Sequence, residues 1–591
     1  MSSQTIRIGG ASGFWGEADV GLPQFLAEGD LDYVVFDYLA EITMSIMARA
    51  RAKDPDKGYA ADWVTAVLRP NLAEVARQGV KLISNAGGVN PLACGAAVRA
   101  LVAELGLDLK VAVITGDDLL TRAAEFTGQR EMFSGAAFPS AEAVASINAY
   151  LGAFPIARAL DEGADIVITG RCVDSAVTLG ACLHAFGWGR QEWDLLAAGS
   201  LAGHIIECGP QATGGNFTDW EEVAATIHEI GYPIAEIDVD GTCTISKPGG
   251  TGGAVTVGTV GEQMLYEIGD PQAYLLPDVS CDFSQVRLQE TGPDKVRVTG
   301  ALGRPAPATY KVSATYADGW RAGMVWFFVG ADAGHKGRAF ADAALARANE
   351  KLRALNAPAF DETLVEVIGD GSSFGAPGPS NDVAVKIAVK HRDPAAAGLI
   401  LKEATGLGLS APPGLSGFSG GRPKPSPVIR LFSFLTPKSE VPLHLHLDGA
   451  VIDLGVEPDS IVAGPPSRRF PETPAPAETT VPLIRLAWAR SGDKGDKANV
   501  GILPRDPAWA PYIWAALDED EIARRFAHYL APTGRVERFW MPGTGAMNIL
   551  LHDVLGGGGV ASLRNDPQGK TYGQILLQAE IPVPADVAEA L

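Results

Sequence analysis

Short apolar runs alternate with amphipathic stretches up to about residue 238 of the chain. Runs that are apolar on both faces are typical of buried strands, and the stretches between them have helical spacing. Strands of this kind that alternate with helices predict a mostly parallel sheet with helices on both faces. The predicted strands are residues 5–8, 33–36, 81–84, 110–115 and 165–169, and the predicted helices include 60–78, 91–105 and 140–162.

Each of these strands ends in a turn that is rich in polar residues or glycine. In open α/β sheets, ligands bind outside the carboxyl ends of the strands. A binding site is therefore expected where these turns meet at one edge of the sheet. The turns are residues 9–13, 37–41, 85–90, 116–118 and 170–175.

The pattern changes after residue 238. Alternating runs at 295–299, 310–316 and 324–329 predict antiparallel strands, before a helix at 334–355 and a strand at 364–368. A proline-rich stretch then indicates a linker, and the last part of the chain predicts a strand at 482–487, a helix at 518–530 and a strand at 573–579. The expected division is an α/β domain at 1–238, an α+β domain at 239–464, a linker at 465–480 and a small C-terminal α+β domain at 481–591.

Composition narrows the class of protein. The 591 residues are 47% hydrophobic and 20% charged, which is typical of folded proteins. A net charge of −22 argues against a nucleic-acid partner, because phosphate binding needs clustered Lys and Arg. The sequence has neither a long apolar run nor an export signal, so neither a membrane span nor secretion is expected. Six cysteines without a CxxC pair favour reduced thiols in a cytoplasmic protein.

Residues 203–220 hold the densest group of reactive side chains, among four glycines and a proline. We interpret this segment as a shaped loop at an enzyme site. His204 and Glu207 are suited to proton transfer, and Asn216 can donate hydrogen bonds. A thiol nucleophile at Cys208, a metal site and a structural role also stay open, although the spacing matches no standard zinc pattern.

Other candidates come from the strand ends and from later loops. Asp37 and Glu41 would share one helix face and could supply a general base, or they could simply be carboxylates at a helix N-terminus. Backbone N–H groups and cations in these segments could bind phosphate or carboxylate, and side-chain amides could stabilise an enolate oxygen. Alternatively, the same residues form only turns, helix caps and surface salt bridges. The candidates for binding are Ser12, Gly13, Asn85, Asn90, Arg171, Asp174, Ser175, Lys247, Gly250, Gly252, Arg490 and Lys494.

His444, His446 and Asp448 alternate along a predicted strand. They would face one side and could bind a metal, but a solvated strand face is the preferred interpretation. No metal site is predicted.

Several longer strings resemble the acyclic terpene utilisation (AtuA) family. The resemblance covers nearly the whole chain, and the string at 490–501 resembles the family's small, ferredoxin-like C-terminal domain. The family is named for operons that degrade acyclic terpene acids as acyl-CoA thioesters, so the resemblance implies a CoA-linked substrate. The other strings are residues 9–16, 37–41, 85–91, 203–220, 241–253 and 266–271.

The chain is thus expected to be a cytoplasmic catabolic enzyme that acts on an acyl-CoA thioester or a related carboxylic acid by acid–base chemistry. It would be a hydratase, a dehydratase or a C–C lyase, with Asp37, Glu41, His204, Glu207 and Asn216 as catalytic candidates. A non-catalytic subunit that binds acyl-CoA or organises a pathway complex is the alternative. We predict a homo-oligomer without a nucleic-acid or membrane partner, and no cofactor apart from the CoA of the substrate, because a dinucleotide fingerprint is missing.

Overall fold

The computed structural model describes residues 4–17, 19–417, 421, 423–458, 464–477 and 479–591. Glu478 of the expected linker lies outside these residues. Within the described chain, no helix combines the length and the apolar composition that crossing a bilayer requires.

The N-terminal part alternates strands with helices. Its strands are β1 (Thr5–Gly10), β2 (Tyr33–Phe36), β3 (Lys81–Ser84), β4 (Val111–Thr115), β5 (Val144–Ala149), β6 (Ile166–Thr169), β7 (Ile234–Asp238) and β8 (Cys243–Ser246). Its helices are α1 (Gly21–Glu28), α2 (Glu41–Lys53), α3 (Arg69–Gln78), α4 (Pro91–Glu104), α5 (Phe154–Asp161), α6 (Ala176–Phe186), α7 (Trp193–Ile206) and α8 (Val257–Leu265). One π-helical turn, Trp63–Leu68, leads into α3.

The middle part is dominated by antiparallel strands. These are β9 (Tyr274–Leu275), β10 (Ser280–Asp282), β11 (Arg287–Gly292), β12 (Lys295–Thr299), β13 (Leu302–Arg304), β14 (Thr309–Val329), β15 (Glu362–Ile368), β16 (Asp382–His391), β17 (Leu415–Ser416), β18 (Ser426–Pro437), β19 (Leu443–Leu447) and β20 (Ala450–Gly455). The helices are α9 (Ala333–Ala354), α10 (Pro394–Ala397) and α11 (Leu399–Gly406).

The C-terminal part is a small α+β unit. Its strands are β21 (Thr479–Pro482), β22 (Ala487–Lys494), β23 (Lys497–Pro504), β24 (Val536–Met541), β25 (Ala546–Leu551) and β26 (Glu580–Val583). Its helices are α12 (Leu483–Leu486), α13 (Ala510–Ala516), α14 (Glu519–Arg525), α15 (Tyr572–Leu576) and α16 (Ala585–Ala590). The strands β22-β23-β25-β24 form an antiparallel sheet with its own apolar core.

The largest sheet has a parallel centre and antiparallel flanks, in the order β11-β12-β8-β7-β1-β2-β3-β6-β4-β19-β20. Strands β1, β2, β3, β6 and β4 pair in parallel. In β2, Tyr33 and Val35 join the core that contains α5 to α7, whereas Val34 and Phe36 join the core that contains α1, α3 and α4. The predicted parallel sheet with helices on both faces is therefore confirmed, with antiparallel strands added at both sides.

Strand β14 belongs to a second sheet, which is antiparallel. Its first half lies between β5 and β18, and its second half pairs with β16 and β17. The two strands that the sequence predicts at 310–316 and 324–329 are thus one continuous strand, with a register shift between Ala317 and Trp320.

Three other predicted elements are wrong. The helix predicted at 140–162 begins as strand β5 and becomes helical only in α5, because β5 pairs with the distant β14. The strand predicted at 482–487 contains the helical turn α12, and the strand predicted at 573–579 is largely α15. Short apolar runs of this kind fit a helix and a strand equally well.

Candidate functional site

Arg171 lies buried directly after β6, among the turns at the carboxyl edge of the parallel strands. Its backbone N–H donates to Asp117 Oδ2 at 2.8 Å, and its Nη1 donates to Asp174 Oδ1 at 2.7 Å. The guanidinium carbon lies 4.1 Å from the centre of the Tyr150 ring. Burial raises the pKa of Asp117 to about 7, although the N–H of Arg171 and the Asn148 side chain donate to it. Arg171 is thus a fixed cation at the centre of this edge.

Asp37 follows β2 and is buried beside Asn85. Its Oδ1 accepts hydrogen bonds from Asn85 Nδ2 and from the N–H of Leu39. Burial raises the pKa of Asp37 well above its usual value, and the charges of Asp174 and Glu207 raise it further, against the opposing effect of Arg171 and Asn85. Asp37 therefore holds a proton more readily than an ordinary aspartate does.

Glu41 lies near Arg171 but has the opposite property. Tyr150 donates its hydroxyl to Glu41 Oε1 at 2.7 Å, and Lys311 Nζ lies 3.6 Å from the same oxygen. Burial opposes ionisation, yet Lys311, Arg171 and Tyr150 together hold the pKa of Glu41 well below its usual value. The prediction that Asp37 and Glu41 share a helix face is wrong, because α2 begins only at Glu41, after an extended Ala40.

His204 lies in the last turn of α7, not in a loop as the sequence suggested. It is buried, and both ring nitrogens have partners: Nε2 lies 3.2 Å from the carbonyl oxygen of Met264, and Nδ1 lies 3.0 Å from Glu207 Oε1. A carbonyl oxygen can only accept, so Nε2–H is the donor in the first contact, and the second contact is a hydrogen bond when Nδ1 or Glu207 carries a proton. Burial raises the pKa of Glu207, although His204 opposes this.

Cys208 is half-buried at the end of the same segment. Burial raises the pKa of its thiol well above the usual value, and the nearby carboxylates of Glu207 and Glu267 raise it further. A thiol in such surroundings stays protonated, and this disfavours a role as nucleophile. In the described part of the chain, no three His, Cys, Asp or Glu side chains are grouped so that they could hold a metal ion.

The C-terminal unit contributes charged side chains to this site. Lys494 is at the end of β22, within a hairpin where the sequence suggested a loop, and its Nζ lies 3.3 Å from Glu267 Oε2. Lys570 Nζ contacts Glu267 Oε1 at 3.2 Å and Asp493 Oδ1 at 3.7 Å. The side chains of Lys494 and Lys570 are 41% and 39% exposed, so solvent reaches this group.

Electrostatic effects place the hairpin opposite the strand ends. Partial removal from water opposes the charge of Lys494, but Glu267, Asp174 and Glu41 outweigh it and raise the pKa of Lys494 well above its usual value. Burial and the charge of Glu267 raise the pKa of Asp493 to about 7. We refer to the region between the carboxyl edge of the parallel strands and the β22–β23 hairpin as the cleft.

Glu267 also lies at this site, although no single sequence motif pointed to it. Its backbone has φ +57°, which is uncommon for a residue other than glycine. Asn499 Oδ1 accepts from the N–H of Glu267, and Asn548 donates to the carbonyl of Ile268. Strained backbone that is held by its surroundings often marks a functional position. The signal was the string at 266–271, which carried the family resemblance without an assigned role.

Comparison with protein families agrees with the architecture. The model of the acyclic terpene utilisation family protein AtuA matches residues 6–447, and the model of the AtuA ferredoxin-like domain matches residues 481–582. The chain belongs to the AtuA family. Searches of curated proteins and of solved structures gave no match.

In this AtuA-family protein, Arg490 fastens the C-terminal unit to the site. It donates to Gln211 Oε1 and to the carbonyl of Gly215, both at 2.9 Å, and its Nε lies 3.3 Å from Glu262 Oε2. Burial raises the pKa of Glu262 to about 7, although Arg490 opposes this. The guanidinium of Arg490 is thus bound by the chain itself, and the sequence prediction that it binds substrate has no support in this geometry.

Two glycine-rich turns that the sequence suggested as anion sites hold carboxylates of the AtuA chain. The N–H of Gly13 donates to Glu17 Oε2 at 2.6 Å, and Ser12 donates to the carbonyl of Asp37. The N–H of Gly249 donates to Glu28 Oε2 at 2.9 Å. Near this second turn, Lys247 Nζ lies 3.2 Å from Asp294.

The remaining candidates lie in structural positions. Gly250 has φ +74°, and a Cβ on Gly252 would lie 2.4 Å from the carbonyl oxygen of Thr226. Asn90 donates to two backbone carbonyls of residues 55 and 57. Ser175 is buried before α6, and Asn216 is exposed with φ +56°.

The histidines of β19 do not form a metal site with Asp448. His444 and His446 share a strand face as expected, and His446 Nε2 lies 3.0 Å from Thr115 Oγ1. Asp448 lies beyond the strand with φ +50°.

A cavity of about 400 Å³ lies against α5 and β20, and none of the cleft residues named above lines it. Arg190 there already binds both carboxylate oxygens of Glu457 and stacks on Phe154. We assign the candidate site to the cleft because its charged side chains are arranged around carboxyl groups with opposed pKa shifts.

Proposed function

We propose that this AtuA-family protein is a catabolic enzyme of acyclic terpene or branched-chain acid degradation. Its substrate is an acyl-CoA thioester or a related carboxylic acid, and its chemistry is proton transfer. The family supports the metabolic setting, and the cleft supports the type of chemistry.

The observation that carries this proposal is the contrast between Asp37 and Glu41. Both are near Arg171, yet the pKa of Asp37 is raised and that of Glu41 is lowered. Two carboxyl groups whose surroundings push their pKa values apart are suited to act as proton donor and proton acceptor. Asp37 is then the donor, and Glu41 is the ionised partner.

The second carboxyl oxygen of Asp37, Oδ2, is free of hydrogen bonds to the described residues. Asn85 and the N–H of Leu39 both bond to Oδ1 of Asp37, and Oδ2 makes no hydrogen bond with any described residue. A proton on Oδ2 can therefore reach a bound substrate. Glu207, whose Oε1 lies 3.0 Å from His204 Nδ1, is the second proton-transfer candidate.

Cations around the cleft suit an anionic substrate or an enolate intermediate. Lys494 enters from the C-terminal unit and Lys311 from β14, and their side chains are 41% and 37% exposed. Preorganised positive charge that faces developing negative charge is commonly a large contribution to catalysis. We assign both lysines to binding and to charge stabilisation.

The test is to incubate the purified protein with branched and unsaturated acyl-CoAs, and with the free acids, and to measure product masses. Gain or loss of one water indicates hydration or dehydration, and fragmentation indicates a lyase. We expect Asp37→Asn to lower turnover by about 100-fold or more, the range typical of a lost general acid.

Asp278→Asn is the matched control, because Asp278 is also buried with its pKa raised to about 7 but lies outside the cleft. Equal losses in both variants would contradict the assignment of Asp37. Binding of an acyl-CoA without conversion would instead favour the non-catalytic subunit.

A further inference from the structure

A small recess lies beside Glu41 and Arg171, between α2 and the strands β5 and β14. Its volume is about 10 Å³. Its walls include side chains that no sequence motif pointed to, namely Asn148, Tyr150, Ser313 and Thr315. The recess therefore adjoins the proposed proton acceptor.

Two buried polar atoms at this recess have no hydrogen-bond partner among the described residues. They are Asn148 Oδ1, an acceptor, and Arg171 Nε, a donor. The two side chains are 3% and 4% exposed. Unpaired buried polar groups are costly, so an unpaired acceptor and donor on the same recess indicate a missing partner that both donates and accepts.

The other wall groups are already paired with one another. Ser146 and Thr315 share a hydrogen bond of 2.6 Å between their hydroxyl oxygens. Tyr150 donates to Glu41, and Asn148 Nδ2 donates to Asp117 at 2.9 Å. These hydrogen bonds hold the wall side chains in place. Asn148 Oδ1 and Arg171 Nε stay available to bind whatever occupies the recess.

Size restricts what can fill the recess. A volume of about 10–15 Å³ is what one water needs, and a bound water also needs two to four polar partners. A water here would accept from Arg171 Nε and donate to Asn148 Oδ1. Its second hydrogen would face the carboxylate of Glu41.

We propose that this recess holds the oxygen that is exchanged in the reaction, as a water molecule beside an unsaturated substrate and as a hydroxyl group in the hydrated product. The inference rests on the proposed function and specifies it, because it makes the enzyme a hydro-lyase. The substrate class is then an α,β-unsaturated acyl thioester or acid, together with its β-hydroxy counterpart.

The step balances with groups that are present. The water oxygen forms a bond to the β-carbon, and the π electrons move to the α-carbon and its carbonyl. The α-carbon takes a proton from Asp37, and the water releases a proton to Glu41. Solvent restores both carboxyl groups, and dehydration is the reverse sequence.

The first test is independent of activity. A high-resolution crystal structure of the unliganded protein should show a water within hydrogen-bond distance of both Asn148 Oδ1 and Arg171 Nε. An empty recess, or a water that contacts neither atom, would overturn the inference whatever the enzyme does.

The second test separates water addition from proton transfer. The wild-type protein is incubated in heavy water with 3-hydroxy-3-methylbutanoyl-CoA, the β-hydroxy counterpart of β,β-dimethylacryloyl-CoA. Hydration is read in its reverse direction, as loss of water, and deuterium uptake at the α-carbon is followed alongside it by mass. The α-proton leaves before the hydroxyl group does, so this uptake does not depend on the water step. Asn148→Ala should lower hydration by about 100-fold, as the loss of one oriented hydrogen-bonding group in an active site typically does. Deuterium uptake should change less than about threefold, since Asp37 is retained.

Two further variants keep the test decisive. Asn148→Leu keeps nearly the side-chain volume but removes the unpaired Oδ1, and it should lower hydration in the same direction if Asn148→Ala does not fold. Tyr310→Phe is the control, because it removes a buried, unpaired hydroxyl on β14 but outside the recess. It should leave both rates unchanged.

The possible outcomes are distinct. Wild-type deuterium uptake without hydration would overturn the hydro-lyase assignment and leave the acid–base proposal standing. Parallel loss of both rates in Asn148→Ala would also overturn it, because it would make Asn148 a structural residue. Wild-type protein that neither exchanges nor hydrates would refute both proposals.

Discussion

Replacing Asn499 by alanine should loosen the turn that carries Glu267. Asn499 is fully buried in the C-terminal unit and makes three hydrogen bonds through its side chain. Its Oδ1 accepts from the N–H of Glu267 at 2.9 Å, and its Nδ2 donates to the carbonyl of Leu265 at 2.7 Å and to Asn548 Oδ1 at 3.0 Å. The alanine variant loses all three bonds.

The magnitude follows from these contacts. Each hydrogen bond contributes about 1 kcal/mol to stability, so the variant should lose about 3 kcal/mol. Every 1.4 kcal/mol is about a tenfold change in an equilibrium, so the turn should open about 100 times more often. The left-handed backbone of Glu267 adds strain that the remaining contacts must hold alone.

Native-state hydrogen exchange, read by mass on a peptide that spans residues 265–269, measures this opening directly. Protection should fall by about 100-fold, since local opening then limits exchange. Asn71→Ala is the control, because Asn71 makes one side-chain bond, to the carbonyl of Val67 in another part of the fold. A change in protection below threefold in Asn499→Ala would refute the role of Asn499 in holding this turn.

Three further predictions concern stability and the thiol. Asp117 keeps its proton in the folded state to about pH 7 but loses it near pH 4 when unfolded, so the folded state binds more protons in between and its stability falls as pH rises from 4 to 7. The stability lost over this pH range amounts to about 4 kcal/mol. The wild-type Tm should therefore be lower at pH 8 than at pH 5, and this difference should shrink in Asp117→Asn. An unchanged difference would contradict the raised pKa of Asp117. Gly13→Ala should lower Tm, since its Cβ would lie 2.8 Å from Cys208 backbone atoms, whereas Gly128→Ala, with open space around it, should not. Cys208→Ala should retain activity, and the native thiol should react slowly with a thiol reagent at pH 8; fast labelling would restore the nucleophile hypothesis.

Local patterns predicted the centre of the fold well. The runs at 33–36 and 81–84 coincide with β2 and β3, because a strand buried on both faces has a continuous apolar sequence. The edge where Asp37, Glu41 and Arg171 meet followed from topology. The same reasoning could not show that Glu41 starts a helix while Asp37 lies outside it.

Apart from Glu41 and Arg171, the residues of the recess could not be found in this way. Ser146 and Thr315 bond directly although 169 positions separate them. The pairing of β5 with β14 that brings them together is non-local, and the segment around 140–162 has a helix-like composition. The roles of Lys494 and Glu267 likewise depend on the docking of the C-terminal unit, which no local pattern encodes.

The carboxylates of Glu17 and Glu28 give the two glycine-rich turns a property of their own. Each is tethered to the same chain as the N–H group that it binds. A tethered group acts at an effective concentration that is commonly millimolar or higher, so it competes with free anions without ever diffusing away. The carboxylates of Glu17 and Glu28 thus occupy the N–H groups that a free anion would otherwise bind. Free phosphate should therefore not displace these carboxylates, although the sequences of the two turns suggested anion binding.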